Sequence, residues 1–423
     1  MPRSRVSAAV TSVYIAFIGA GIIQSTWAAR IPQLKAALEM DPATWGLVLL
    51  AMAAGSVSSL PAAGAIINKL GEKATVRIFS LVTGLAMAAL GLGYVGGVLP
   101  VVIALYAMGF GLGAWDVAMN VQGTLVEHRL DKAIMPKFHA GFSVGTVTGA
   151  LLGALLIQFH VGITANLIGI GLLVGGFVSW KVSHFLMNAA EDAQADVDAR
   201  TQINTFADPA DALLSSEKNE DALARSSSSI PSRITLGQAW REPRTLMVGV
   251  FVLIVAFAEG TAIDWIGVAM VDDYRTSTTL GTLGLAAFLA TMTLARWFGT
   301  ALIDRFGRVP VLRVLTVVAL AGVLLFSLSG NIPLAFFGVA LWGCGVSLGF
   351  PMGMSAGGDE PRNSAVRVSV IATIGYIAFL AGPPFVGLLG NHVGVLSAVM
   401  SVAALLPIAF LLTGALRKPA EMA

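Results

Sequence analysis

The chain has 423 residues, of which 56% are hydrophobic and only 12% are charged, whereas about a quarter of the residues of a soluble protein are charged. This balance describes a polytopic membrane protein. The net charge of +2 comes without a basic cluster, which excludes a nucleic-acid partner. The single cysteine, Cys344, excludes an intramolecular disulfide and a cysteine-based metal site.

Apolar runs of about 20 residues, the length that crosses a bilayer, recur along the whole chain. Six precede residue 190 and six follow residue 243, which predicts an all-α membrane protein of twelve transmembrane helices in two pseudo-symmetric six-helix bundles. The predicted spans are 6–29, 44–68, 74–94, 99–127, 136–160, 162–187, 244–271, 279–303, 309–328, 332–355, 365–390 and 393–416.

The composition changes abruptly between the two halves. Residues 188–230 hold nine acidic residues, three basic ones and a run of four serines. Such a segment cannot bury enough apolar surface to offset its ordering entropy, so it predicts a largely disordered linker. The expected domains are an N-terminal bundle at 1–187, a linker at 188–243 and a C-terminal bundle at 244–423, with a short surface helix near 235–241.

Lys and Arg are distributed very unevenly between the loops of the two sides. The side that carries both termini and the linker holds 22 of them, and the other side holds only Arg30, Lys35 and Arg275. Because cytoplasmic loops carry the excess of Lys and Arg, the sequence predicts an inner-membrane protein with both termini in the cytoplasm.

The two halves also share an internal repeat. Lys69 and Gly71 after the second span match Arg305 and Gly307 after the eighth, at an offset of 236 residues. Many transporters use such repeats to build a site at the interface between the halves.

The loop Asp304-Arg305-x-Gly307-Arg308, its weaker copy after the second span and the six-plus-six layout resemble the major facilitator superfamily. The resemblance implies a central cavity lined by the first, fourth, seventh and tenth helices. It also implies that Asp304, Arg305 and Arg308 are conformational-switch residues. Asn68 stands where the superfamily usually has Asp, which removes one charge from the equivalent switch of the first half.

More closely, five short motifs resemble the YbjJ-type inner-membrane transporters, which are relatives of the fucose-permease group. They are Asp116–Asn120, Ile134–Pro136, His139–Ser143, Glu259–Gly260 and Asp264–Trp265. The fucose-permease relationship favours a sugar or a related metabolite as the solute. The fourth helix lacks the arginine of drug/proton antiporters, which argues against multidrug efflux.

Asp116 is the first candidate for proton coupling. An ionisable group at membrane depth costs about 2.5 to 3.5 kcal/mol on insertion scales, so it survives only where it faces protein groups or water. Asn120 lies four residues further on and shares its helix face, whereas Phe350 holds the equivalent position of the tenth helix. A structural hydrogen bond to a neighbouring helix is the alternative role for Asp116.

Glu259, near the middle of the seventh helix, is the second candidate for proton coupling, and a permanently packed acid is the alternative. His139 lies at the start of the fifth helix. Because imidazole titrates near neutrality, His139 is a further candidate for proton release, and a structural role is the alternative. Arg296 lies inside the eighth helix and needs a carboxylate partner from the solute or the protein.

Arg30 and Asp264 approach the outer rim on symmetry-related helices. We expect them to pair as a gate when the cavity faces inward, and interfacial anchoring of Arg30 is the alternative. The other side chains expected to contact a polar solute are Gln24, Trp27, Trp115 and Trp265.

The sequence therefore predicts a secondary active transporter that moves a small polar solute across the inner membrane by alternating access, coupled to protons. It is expected to be a monomer in the lipid bilayer, without a cofactor or metal, since neither a nucleotide-binding loop nor a metal-ligand cluster occurs in the sequence. An enzyme is not expected. Two alternatives remain open: a proton-driven exporter of hydrophobic compounds, and a non-transporting membrane sensor or scaffold.

Overall fold

The computed structural model describes residues 3–130, 134–186, 234–360 and 363–418. Regular structure in these ranges is helical and no β-strand occurs in them, as the apolar runs predict. The predicted linker 188–230 lies outside the described residues. The predicted helix near 235–241 is present as Leu236–Ala239, and a capping box between Thr235 and Gln238 begins it.

The helices are numbered in chain order. The first half contains α1 (Arg3–Ala29), α2 (Ile31–Ala37), α3 (Pro42–Gly93), α4 (Val98–Leu130), α5 (Met135–Gln158) and α6 (Ile163–Lys181). The second half contains α7 (Leu236–Ala239), α8 (Pro243–Asp272), α9 (Thr278–Phe306), α10 (Arg308–Leu328), α11 (Ile332–Val346), α12 (Gly349–Gly357), α13 (Ser364–Val393) and α14 (Val395–Leu412).

Eleven helices of the described residues are long and apolar enough to cross a membrane, and one of them holds two spans. Helix α3 has 52 residues, which at 1.5 Å per residue is far longer than a hydrocarbon core of about 30 Å. Gly71 interrupts it with φ 74° and ψ 164°. Gly307, between α9 and α10, has nearly the same conformation, φ 82° and ψ 163°, which glycine adopts without steric cost. The twelve predicted spans are therefore confirmed, and the repeat is visible in the backbone.

Each half forms its own helical bundle. In the first, α1 packs on α5, and α3 packs on α4 and α6; in the second, α8 packs on α13 and α14, and α10 packs on α11 and α14. The bundles meet mainly through two helix pairs, α3 with α13 and α5 with α9. Because the second span corresponds to the eighth and the fifth to the eleventh, the pseudo-symmetry relates these two contacts to each other.

Glycines allow α1 and α5 to touch along their backbones. A Cβ atom at Gly145 would lie 2.2 Å from the carbonyl oxygen of Ile18, and one at Gly21 would lie 2.3 Å from that of Phe142. Small residues at such crossings are typical of membrane helices, whose association depends on close packing.

We predict that Gly145→Ala lowers the free energy of unfolding by about 1–3 kcal/mol, because the added methyl group overpacks against rigid backbone. The matched control is Gly169→Ala in α6, where no atom lies within 4 Å of the added Cβ. This control is expected to be neutral or stabilising by up to about 1 kcal/mol, since alanine is the better helix former. Thermal unfolding of the purified proteins in detergent measures both, and equal melting temperatures for the two variants would contradict the prediction.

Candidate functional site

The two bundles touch at one end of the molecule, which we call the far face. The opposite end, where the described residues stop at Leu186 and resume at Ile234, is called the linker face. At the far face, Lys35 Nζ lies 2.7 Å from Asp272 Oδ2 in the other bundle. Close by, the Thr282 hydroxyl donates to the carbonyl oxygen of Ala29 across the same boundary, at 3.1 Å. The far face is therefore closed.

Asp116 faces a space between the bundles. Its side chain is exposed although it lies deep within α4. The exposed apolar residues Leu99, Ile103 and Tyr106 of the same helix point about 80° to 140° of rotation away from it. Asp116 interacts electrostatically with Tyr376 of α13, in the other bundle. It therefore faces the opposite bundle across a solvent-accessible space rather than lipid.

Asn120 lies on the same helix face as Asp116, as predicted. Its Nδ2 donates to the backbone oxygen of Asp116 at 2.8 Å and to Oδ1 at 3.3 Å. The amide therefore leaves the second carboxylate oxygen of Asp116 available to water or a solute.

A second, smaller space lies between the bundles at the α5–α9 contact. It encloses about 30 Å³, room for one or two water molecules. Both bundles line it: Gln24 and Ser25 of α1, Phe142, Ser143 and Thr146 of α5, Glu259 and Ile263 of α8, and Leu289, Met292 and Arg296 of α9.

Glu259 and Arg296 form an ion pair on the wall of this cavity. Arg296 Nη2 donates to both carboxylate oxygens of Glu259, each at 3.1 Å. Arg296 Nε donates to the carbonyl oxygen of Ser347 at 2.9 Å. The guanidinium thus joins α8, α9 and the tenth span, and Glu259 is the carboxylate partner that Arg296 was predicted to need.

The carbonyl of Ser347 is free because of Pro351. A helical carbonyl accepts from the N–H four residues later, and proline has no N–H. The tenth span accordingly breaks after Val346, and α12 begins at Gly349. Sequence reasoning missed this contact, although a proline four residues after Ser347 in a glycine-rich stretch was a usable signal.

Asp116 and Glu259 do not pair across the cavity. Glu259 is bound to Arg296, whereas Asp116 is bonded to Asn120, nearer the linker face. His139 is exposed and interacts electrostatically with Arg296. Its ring also meets Phe17 edge-on, with ring centroids 5.1 Å apart.

The expected gate between Arg30 and Asp264 is not formed. Arg30 points into its own bundle, where Nε donates to Asn166 Oδ1 at 2.7 Å and Nη2 donates to the carbonyl oxygen of Val161 at 2.9 Å. An ion pair that does cross the bundles is Lys35–Asp272. Asp272 lies eight residues after Asp264, about 12 Å further along α8.

The three tryptophans expected to contact a solute lie in the packed core instead. Trp115 and Trp265 are fully buried, and Trp27 is 3% exposed and packs on Trp45 with ring centroids 6.4 Å apart. Trp265 is rotated about 240° from Glu259 on α8, which turns it away from the cavity wall. Of the predicted solute contacts, Gln24 does line the cavity.

A family model described as Major Facilitator Superfamily matches residues 12–383. The chain belongs to this superfamily of transporters. It is 27% identical over 377 residues to the uncharacterized transporter y4wD of Sinorhizobium fredii, covering 89% of each chain. It is 28% identical to an uncharacterized MFS-type transporter of Yersinia pestis, covering 90% of this chain and 88% of that one.

Solved superfamily structures share the fold at low sequence identity. A bacterial homolog of the human lysosomal transporter Spinster, in an inward-facing conformation, matches 98% of both chains with a TM-score of 0.71 and 12% identity. The nucleoside transporter NupG matches 96% of this chain and 98% of that one, with a TM-score of 0.69 and 11% identity. The E. coli fucose:proton symporter FucP matches 97% and 98%, with a TM-score of 0.57 and 16% identity.

The residues expected to form the superfamily switch lie at the linker face. Asn68, Asp304 and Arg305 are exposed. Arg308 donates to both carboxylate oxygens of Asp359 at 3.1 Å, and Arg244 binds Asp359 at 2.7 Å. Arg308 therefore ties the start of α10 to the loop after α12 within the second bundle.

We predict that Lys35→Ala opens the far face more often. An ion pair as exposed as Lys35–Asp272 is worth up to about 1 kcal/mol, so the open fraction should rise by up to about fivefold. The measurement is labelling of Ser25→Cys, in a Cys344→Ser background, with an impermeant thiol reagent added at the far face. The double exchange Lys35→Asp with Asp272→Lys should restore the original labelling rate. An unchanged rate in Lys35→Ala would show that the pair does not hold the gate.

Proposed function

We propose that this superfamily transporter is a secondary active transporter of the YbjJ type, which moves a small polar solute by alternating access and acts as a monomer in the bilayer. The observation that carries the proposal is a polar cavity, lined by the Glu259–Arg296 ion pair, between two bundles that touch at the far face and leave Asp116 exposed toward the linker face. Rocking about the α3–α13 and α5–α9 contacts would expose the cavity alternately to each side.

The lining of the cavity favours a hydrophilic solute. Gln24, Ser25 and Ser143 offer hydrogen-bonding groups from the first bundle, and Glu259 and Arg296 offer charges from the second. A polar solute would satisfy these groups after their water is displaced, whereas a hydrophobic compound would leave them unpaired at a cost of about 1–3 kcal/mol each. The lining therefore supports polar-solute transport over export of hydrophobic compounds.

Protons supply the driving force in this proposal, and Asp116 is the coupling group. Asp116 is exposed in this conformation, and closing the linker face would exclude the water that can reach it. A carboxylate without water or a cation is costly at membrane depth, so closure would favour a protonated Asp116. The shared fold of the fucose:proton symporter is compatible with this coupling.

The linker face is the cytoplasmic side in this proposal, because it carries most of the Lys and Arg residues. The protein then lies in the inner membrane, and the structure corresponds to an inward-facing state. The proposed domains remain 1–187 and 244–423, joined by the linker 188–243.

The test is a solute screen on proteoliposomes that contain the purified protein, driven by an imposed proton gradient. Asp116→Asn should reduce gradient-driven accumulation of the transported solute tenfold or more, because a coupling group is lost. Exchange of solute across the membrane without a gradient (counterflow) should persist in this variant. The control is Glu39→Gln, which removes an exposed far-face acid and should accumulate solute normally. Accumulation at the original level in Asp116→Asn would remove this residue from the mechanism.

A further inference from the structure

Arg296 is held in place but not saturated. Its Nε and Nη2 are used by Ser347 and Glu259, whereas Nη1 has no hydrogen-bond partner in the part of the chain that the structure describes. Arg296 lines the cavity between the bundles. The guanidinium therefore keeps a free donor, and its side chain borders the space where a solute would enter.

The position of this guanidinium is fixed by the backbone. Because Pro351 cannot donate to the carbonyl of Ser347, that carbonyl accepts from Arg296 without competition from the helix. An arginine oriented in this way has lost most of its side-chain freedom before a ligand arrives. Such preorganisation lowers the entropic cost of binding a planar anion.

The opposite wall adds donors. Gln24, Ser25 and Ser143 face the same space from the first bundle, and amides and hydroxyls can donate. The hydroxyl of Thr146 is already used, since it donates to the carbonyl of Ser143 at 2.8 Å. The acidic group of the cavity, Glu259, is neutralised by Arg296. A ligand rich in acceptors fits this donor-rich surface better than a cation, whose charge no unpaired acid of the cavity lining would compensate.

We propose that the transported solute is a small hydrophilic monocarboxylate whose carboxylate binds the free Nη1 edge of Arg296, beside Glu259. A hydrogen bond from a guanidinium N–H to a carboxylate is charge-assisted and about twice as strong as a bond between neutral groups. The hydroxyl or amide groups of the solute bind Gln24 and Ser143. This inference rests on the proposed transport function and specifies its substrate class.

Glu259 competes with the solute for the same guanidinium. Two carboxylates beside one arginine leave a net negative charge in a medium of low dielectric, which weakens binding of the second. Replacing Glu259 by Gln keeps the size and one acceptor oxygen but removes that competing charge. The variant should therefore bind a carboxylate more tightly than the original protein.

The cavity must widen to receive such a solute, because about 30 Å³ holds water alone. Widening is possible without breaking the Arg296 contacts, since Glu259, Arg296 and Ser347 all belong to the second bundle. The donors of the first bundle would move relative to them. The carboxylate is thus bound by one bundle and the rest of the solute by the other.

The experiment measures binding and uptake with matched probes. Acetate, L-lactate, D-gluconate and D-glucuronate are compared with acetamide, L-lactamide and D-glucose, using calorimetry on the purified full chain and uptake in proteoliposomes. We expect at least one carboxylate, and not its neutral counterpart, to bind at millimolar concentration and to be taken up. Arg296→Gln should weaken its binding about tenfold or more, Arg296→Lys should restore part of it, and Glu259→Gln should strengthen it.

The control variant is Arg241→Gln, which removes an exposed arginine outside the membrane spans and should bind as the original protein does. Melting temperatures confirm that each variant is folded. The inference is overturned if no carboxylate binds, if Arg296→Gln binds it equally well, or if the neutral probes bind as tightly. Glucose uptake without carboxylate uptake would overturn the inference and leave the transporter proposal standing. If the Ser25→Cys variant is never labelled by the thiol reagent added at the far face, alternating access itself is overturned instead.

Discussion

The site depends on one constraint: the charge of a guanidinium inside a membrane must be compensated by the protein. Arg296 meets it with the carboxylate of Glu259 and the carbonyl that Pro351 leaves free at Ser347. Breaking such a pair by removing one partner is costly, because a buried charge is left uncompensated. Three spans of the second bundle are thereby held as one unit around the cavity.

This unit matters because alternating access requires rigid bundles with weak contacts between them. Within the first bundle, α1 and α5 approach so closely at Gly21 and Gly145 that a single methyl group does not fit. Between the bundles, the polar contacts at the far face are the ion pair Lys35–Asp272 and a hydrogen bond from Thr282. Beside them is a close α3–α13 crossing, where glycines again leave no room for a methyl group. The two polar contacts are worth about 1 kcal/mol each, so they can break as the far face opens without disturbing either bundle.

Hydropathy alone predicts the twelve spans, because each must be apolar over about 20 residues regardless of its neighbours. The repeat likewise predicts the paired turns, since Gly71 and Gly307 adopt a conformation that other residues avoid. The sequence could not predict how each helix is rotated about its axis, nor which residues far apart in the chain contact each other. Spacing could not show that Trp265 turns into the core, nor that Arg30 reaches Asn166, 136 residues away. The contact between Asp116 and Asn120 was predictable, because residues four positions apart on a helix lie on the same face.

The two acids predicted to couple protons have different surroundings, and this separates their roles under the proposed mechanism. Glu259 is compensated by Arg296, which lies in the same bundle and moves with it, so its environment changes little as the bundles rock. Asp116 relies on Asn120 and on water from the linker face, and closure of that face removes the water. A conformational equilibrium responds only to groups whose free energy differs between the two states. Asp116 therefore suits conformational coupling to protons, and the Glu259–Arg296 pair suits recognition of the solute.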